Sequence, residues 1–232
     1  MFKTRSYKKE LLDESDIPRD SLFQNLKELA FINTYLGGHA ITVAGLEMLI
    51  TDTTKVYNLI DIGSGGGDSA KAIITWAQKK KMQIRLTGID LKPDCITYAK
   101  EHCRNYPELI FTCDDFRNVF SQKNKIDLVH ASLFCHHFTE TEIIDFVKLC
   151  SANNAIFLIN DLERNAIAYY AIKFLTRLFS KTVLVKNDAP LSVLRGFKKK
   201  EWIEIIKKSG IKKYSIQNKW AFRHLVIIYP NE

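Results

Sequence analysis

The chain has 232 residues, enough for one domain with a generous core or one domain carrying a small lid. An apolar content of 46% with 26% charged residues is ordinary for a globular protein and excludes a disordered one. The net charge of +8 invites phosphate binding, but the clusters at 79–81, 198–200, 207–208 and 212–213 fall mostly at predicted helix ends, where cations complement the helix dipole.

The N-terminal MFKTRSYKKELLDESD runs from basic to acidic with no apolar centre, so no secretory leader is expected. Residues 1–50 read as helical. Leu22, Leu26, Leu29 and Leu36 form one stripe that Asp20 or Ser21 would cap, Gly37-Gly38 breaks that helix, and a second runs from about 40 to 50.

From residue 56 the pattern alternates. Strands are predicted at 56–62, 84–89, 109–113, 126–131 and 155–159, with helices at about 68–80, 93–103 and 140–151. This alternation implies an α/β fold around a parallel sheet. Residues 165–180 read as one helix, apolar or aromatic almost all round, and VLVKNDAP as a loop or turn. More helix is predicted to about Ser209, then an antiparallel hairpin of strands at 213–217 and 225–229. No run reaches the ~18–20 apolar residues of a membrane span. Cys95, Cys103, Cys113, Cys135 and Cys150 form no CxxC pair, so they are expected to be reduced and buried, with no metal and a cytoplasmic location.

The strongest signal is the run Asp61-Ile62-Gly63-Ser64-Gly65-Gly66-Gly67-Asp68, a strand feeding a glycine loop that opens a helix. A dinucleotide loop would carry a third glycine where Asp68 stands, and an acid there repels a pyrophosphate. A zwitterion with a positive amino group suits this loop better, with Asp61 as a second carboxylate. Asp90 ends the second strand, where a carboxylate accepts both hydroxyl hydrogens of a ribose.

DIGSGGGD at 61–68, GIDLKPD at 88–94, CDD at 113–115 and IDLVHASLFCHHF at 126–138 together resemble the class I S-adenosylmethionine (SAM)-dependent methyltransferases. The resemblance implies a Rossmann-like, mostly parallel seven-stranded sheet ending in an antiparallel hairpin, with SAM as cofactor. By position, Gly63, Ser64 and Gly65 would meet the methionine part and Asp61 its amino group. Asp90, with Leu91 beside it, would hold the ribose; Asp114 or Asp115 would face the adenine amino group, with Phe116 flanking the ring. Ala131, Ser132 and Leu133 would line the methionine side. Residues 1–50 would form a helical lid hinged at Gly37 and Gly38, and 51–232 the SAM-binding domain, with a helical insertion at about 163–197.

No Asn/Asp-Pro-Pro-Tyr-type run follows the fourth strand and no Pro-Cys dipeptide occurs, which argues against methylation of nucleic-acid bases. NTYLGGHAIT at 33–42 and the run from Asn160 to Phe197 resemble small-molecule methyltransferases of the ubiquinone/menaquinone-biosynthesis type, including a subgroup partnered with chalcone-synthase-like polyketide synthases. That resemblance implies a lipophilic phenolic or pyrone acceptor and O- or C-methylation. His136, His137 and His39 are candidates for the proton acceptor, and Tyr169, Tyr170 and Arg195 for acceptor binding. Asp161 and Glu163 either face the crevice or cap the following helix. RNA or protein methylation, a SAM-fold module without activity, and a monomer or homodimer all stay open.

Overall fold

The computed structural model describes residues 2–121 and 125–231. After a 3₁₀ turn at Leu11–Asp13, helix α1 (Arg19–Tyr35) and helix α2 (Gly38–Leu49) precede the sheet. Then β1 (Val56–Ile62), α3 (Asp68–Lys80), β2 (Gln83–Asp90), α4 (Pro93–His102), β3 (Leu109–Cys113), β4 (Leu128–Ser132), α5 (Glu140–Ala152) and β5 (Ile156–Leu162) alternate. Helices α6 (Ala166–Phe179), α7 (Val183–Arg195) and α8 (Lys199–Lys208) lead to β6 (Tyr214–Lys219) and β7 (Arg223–Ile228).

The seven strands lie in the order β3-β2-β1-β4-β5-β7-β6, parallel except for β7, which runs antiparallel to both β5 and β6. This is the predicted Rossmann-like α/β sheet. Its strands alternate their apolar residues between two buried layers, as a sheet covered on both faces must. Leu59 and Tyr57 of β1 pack with Leu46 of α2, Ile73 of α3 and Ile96 of α4, whereas Ile62 packs with Phe146 of α5 and Trp202 of α8. Gly45 lets α2 approach the sheet closely: a Cβ there would lie 2.7 Å from Leu158 Cδ1. Of the N-terminal helices, α2 is thus a core layer and α1 lies outside it.

Three local expectations need correction. VLVKNDAP is not a loop but the first part of α7, because the Thr182 hydroxyl accepts from the Val185 amide and the helix buries Val185, Leu191 and Val193. Pro190 sits inside it, which costs one backbone donor but no buried contact. Helix α1 starts directly after Pro18 without a side-chain cap, so Asp20 only complements the dipole. Finally, Cys113 is exposed while the other four cysteines are buried.

Candidate functional site

The loop from β1 to α3 is left-handed at Gly63, with φ +62°. A Cβ there would also fall 2.1 Å from Phe134 Cδ2, so both backbone and space demand glycine. The Gly65 amide donates to Asp90 Oδ2 at 2.9 Å, and the Lys92 amide to Oδ1 at the same distance. Asp90 thereby ties the glycine loop to the end of β2, and burial, opposed by these amides, raises its carboxyl above the usual range. Leu133, left-handed at φ +52°, turns the chain sharply after β4 and lays the Phe134 ring over Gly63.

Around this loop, at the carboxyl ends of β1, β2 and β4, lies a cavity of about 630 Å³. Part of its wall is polar. Asp61 and Ser64 are buried there, and Asp61 Oδ2, Ser64 Oγ and Ser132 Oγ have no hydrogen-bond partner within the protein. Buried polar atoms left unmatched at a cavity wall are the mark of a polar ligand. Apolar side chains share the wall: Leu26 and Leu29 of α1, and Phe116, Phe134 and Phe138, whose rings meet at 4.9–5.9 Å.

Asp61 is held from below by a buried polar chain. Its Oδ1 lies 2.7 Å from His130 Nδ1, and His130 Nε2 lies 3.1 Å from the Thr42 hydroxyl of α2. Asn160 donates to Thr42 Oγ1 and to the Gly38 carbonyl, while Arg223 donates to Asn160 and, at 3.0 Å, to Asn33 Oδ1. Asn33 in turn donates to Asp68, which also pairs with His39 at 2.8 Å. Burial pulls the Arg223 guanidinium down to about 10, still charged at neutral pH. Burial would raise Asp68, but His39 and Asn33 outweigh it and hold the carboxyl below its ordinary value. The chain explains Gly38 as well, since a Cβ there would strike Asn33 Oδ1 at 1.8 Å.

Most residues singled out in the sequence meet at this cavity. Asp61, Gly63, Ser64, Gly65, Asp90, Leu91, Asp114, Phe116, Ser132 and Leu133 all line it. Asp114 lines it and Asp115 does not: Asp115 turns outward onto Arg117, at 2.7 Å. Ala131 lies fully buried behind the wall.

The proposed acceptor residues separate. His137 lines the cavity, with Nδ1 2.9 Å from Asp13 Oδ1. His136 is buried away from it, Nδ1 2.7 Å from Asp161 Oδ1 and Nε2 3.5 Å from Glu10. Burial would lower the His136 imidazole, but Asp161 and Glu10 prevail and push it up to about 9, so it is charged at neutral pH and has no lone pair for a proton. His39 faces a separate surface groove with Phe31, Tyr35 and His102. Tyr169 and Tyr170 lie on α6 outside the cavity, where Tyr169 packs edge-on against Phe2. Arg195 is buried outside the cavity lining, and four of its five N–H donors go to the carbonyls of His136, His137 and Lys8 and to Asp13. Asp161 holds His136 and neither it nor Glu163 caps α6; Asn165 does.

Sequence reasoning missed Leu12 and Asp13, which reach the cavity from the N-terminal segment, and Glu10 beneath them. Nothing local marks them, because Arg195 and Arg5 fix this segment by long-range bonds to backbone carbonyls. Glu10, His136 and His137 bring ligand atoms within 4.8 Å of one another. Ion pairing already accounts for this cluster: Ser192 donates to Glu10, and His136 carries the positive charge.

A family model described as a methyltransferase domain matches residues 59–153, from β1 to the end of α5. Over that segment the chain carries a methyltransferase domain. The matched segment carries the glycine loop, Asp90, Asp114 and the β4 wall of the cavity. Among curated proteins, malonyl-[acyl-carrier protein] O-methyltransferase 1 of Ilyobacter polytropus is 26% identical over 87 residues, covering 38% of this chain and 31% of that protein. Human N-acetylserotonin methyltransferase in complex with SAM aligns over 93% of this chain and 57% of its own, with a TM-score of 0.63 at 15% identity. The plantazolicin methyltransferase BpumL in complex with SAH aligns over 92% of this chain and 89% of its own, with a TM-score of 0.63 at 17% identity. The chain thus spans under a third of its curated relative and little over half of the human structure. Among the described residues no single helix is long and apolar enough to cross a membrane.

Proposed function

We propose that this methyltransferase moves a methyl group from SAM to a hydroxyl of a lipophilic small molecule, with His137 as the proton acceptor. The observation that carries the reading is one cavity whose wall combines unmatched buried polar groups with apolar and aromatic side chains. Asp61 and the unmatched Ser64 and Ser132 hydroxyls suit the amino acid part of SAM, Asp90 the ribose, and Asp114 with Leu91 and Phe116 the adenine. SAM supplies a sulfonium-activated methyl group, so the protein's work is alignment to within ~3–3.5 Å and exclusion of water.

The apolar lining of Leu26, Leu29, Phe134 and Phe138 selects an acceptor by burial rather than by charge. The 10–35 segment closes the cavity as a lid. His137 lines the same cavity, with Asp13 Oδ1 2.9 Å from its Nδ1; in the tautomer that carries the proton on Nδ1, Nε2 keeps its lone pair for a hydroxyl proton. Glu10 lies 3.8 Å from that Nε2, close enough to stabilise the imidazolium formed after transfer.

The test is calorimetric titration with SAM, followed by transfer of labelled methyl to a panel of alkylated phenols and pyrones. His137→Ala should lower kcat about 10²- to 10⁴-fold with SAM affinity unchanged, the usual span for general-base catalysis. Methyl transfer at the wild-type rate in this variant removes His137 as the base. An absence of binding heat with SAM ends the reading as a whole.

A further inference from the structure

We propose that α6 is a docking helix that lies in the surface of an anionic lipid bilayer. Ile167, Tyr170, Phe174 and Leu178 follow one another at spacings of three and four along one face, and with Phe179 they are each 59–75% exposed. The opposite face is the one that packs, burying Ala168 and Thr176. The helix therefore presents its apolar side outward, the reverse of a helix that covers a core. At 14 residues it is about 21 Å long, too short for a hydrocarbon core of about 30 Å, so it lies along a bilayer instead of crossing it.

Charge selects the occupant. From Ala166 to Lys186 the chain has no acidic residue, whereas Lys173, Arg177, Lys181 and Lys186 are basic. Lys173 and Arg177 fall on the flank of the exposed face, so a surface that takes up the apolar side chains also meets their charge. A two-fold contact between copies would set these cations against each other. An anionic lipid surface neutralises them, and apolar side chains framed by lysine and arginine are how an interfacial helix holds such a surface.

The position is suited to a lipophilic acceptor but does not depend on one. Glu28 of α1 accepts hydrogen bonds from the Ser180 and Thr182 hydroxyls and from the Lys181 amide, so the end of α6 is tied to the helix that walls the cavity.

The full chain should co-sediment with phosphatidylcholine vesicles containing phosphatidylglycerol, not with phosphatidylcholine alone, and less so as salt rises. Phe174→Ser with Leu178→Ser, and separately Lys173→Glu with Arg177→Glu, should each weaken sedimentation about tenfold or more. Phe174→Trp should keep binding and shift its emission to the blue on adding the anionic vesicles, which guards against misfolding of the serine pair. Three results overturn the proposal: wild-type chain left in the supernatant, sedimentation unchanged in the serine pair, or a solution dimer that the serine pair splits into monomers.

Discussion

Asp61 and His130 stand opposite each other in the β1–β4 register, with imidazole Nδ1 2.7 Å from the carboxylate Oδ1 at the floor of the cavity. Both side chains are buried, so neither charge nor lone pair is satisfied by water. Asp61 Oδ2 has no hydrogen-bond partner among the described residues, and Asp61 lines the cavity. The pair is tied to α2 through Thr42 on the far side of the ring.

His130→Ala removes one partner of a buried pair and strands the other, which costs roughly 3–5 kcal/mol. Urea unfolding should show a loss of this size, and calorimetry a weaker affinity for SAM although His130 does not line the cavity. An affinity equal to wild type separates the pair from cofactor binding.

Asp90→Ala should weaken SAM affinity more than His130→Ala does. Charge-assisted hydrogen bonds contribute about 1.5–3 kcal/mol each, so losing even one to a ribose hydroxyl costs tenfold or more. The Gly65 and Lys92 amides lose their acceptor as well, and exchange of the Gly65 amide should quicken in the variant. Titration by calorimetry and amide exchange by NMR check the two halves.

The His136 pair sets an alkaline limit on stability. Its imidazole is raised to about 9, against an ordinary value of about 6.5. The pairing therefore stabilises the fold fully below about pH 6.5 and is lost as pH rises through about 9, on the order of 3 kcal/mol in all. Denaturation midpoints measured from pH 6 upward should fall across that window, and His136→Gln should flatten the slope. A wild-type profile as flat as that of the variant would show that His136 is neutral.

Arg195→Met tests the corrected role of that side chain. If Arg195 fixes the N-terminal segment, the variant loses stability by several kcal/mol, since buried carbonyls and Asp13 lose a charged donor. Limited proteolysis should then cut within residues 2–15 first. A rise in acceptor KM with stability intact would instead return Arg195 to the acceptor site.

Much of the fold was legible along the chain because its rules are local. Periodicity two in the strands, periodicity 3.6 in the helices, and glycine between β1 and α3 do not need tertiary knowledge, and together with the family resemblance they picked out residues from Asp61 to Ser132 that line the cavity. The helix over Val183–Arg195 was hidden, because Pro190 reads as a break while the buried contacts that stabilise the helix lie elsewhere in the chain.

What the sequence determined by itself is the sheet, its order of elements and the acid-bearing loop, since each follows from neighbours within about ten residues. Only tertiary structure decided which of two adjacent histidines meets the cavity. His136 and His137 differ by one peptide bond, yet Asp161 and Glu10 hold one as a buried cation while the other lies beside Asp13 and lines the cavity. The same holds for α6, which reads as apolar almost all round in sequence but in the fold buries only Ala168 and Thr176 and leaves Ile167, Tyr170, Phe174 and Leu178 open, because the sequence of a helix does not say what stands opposite each side.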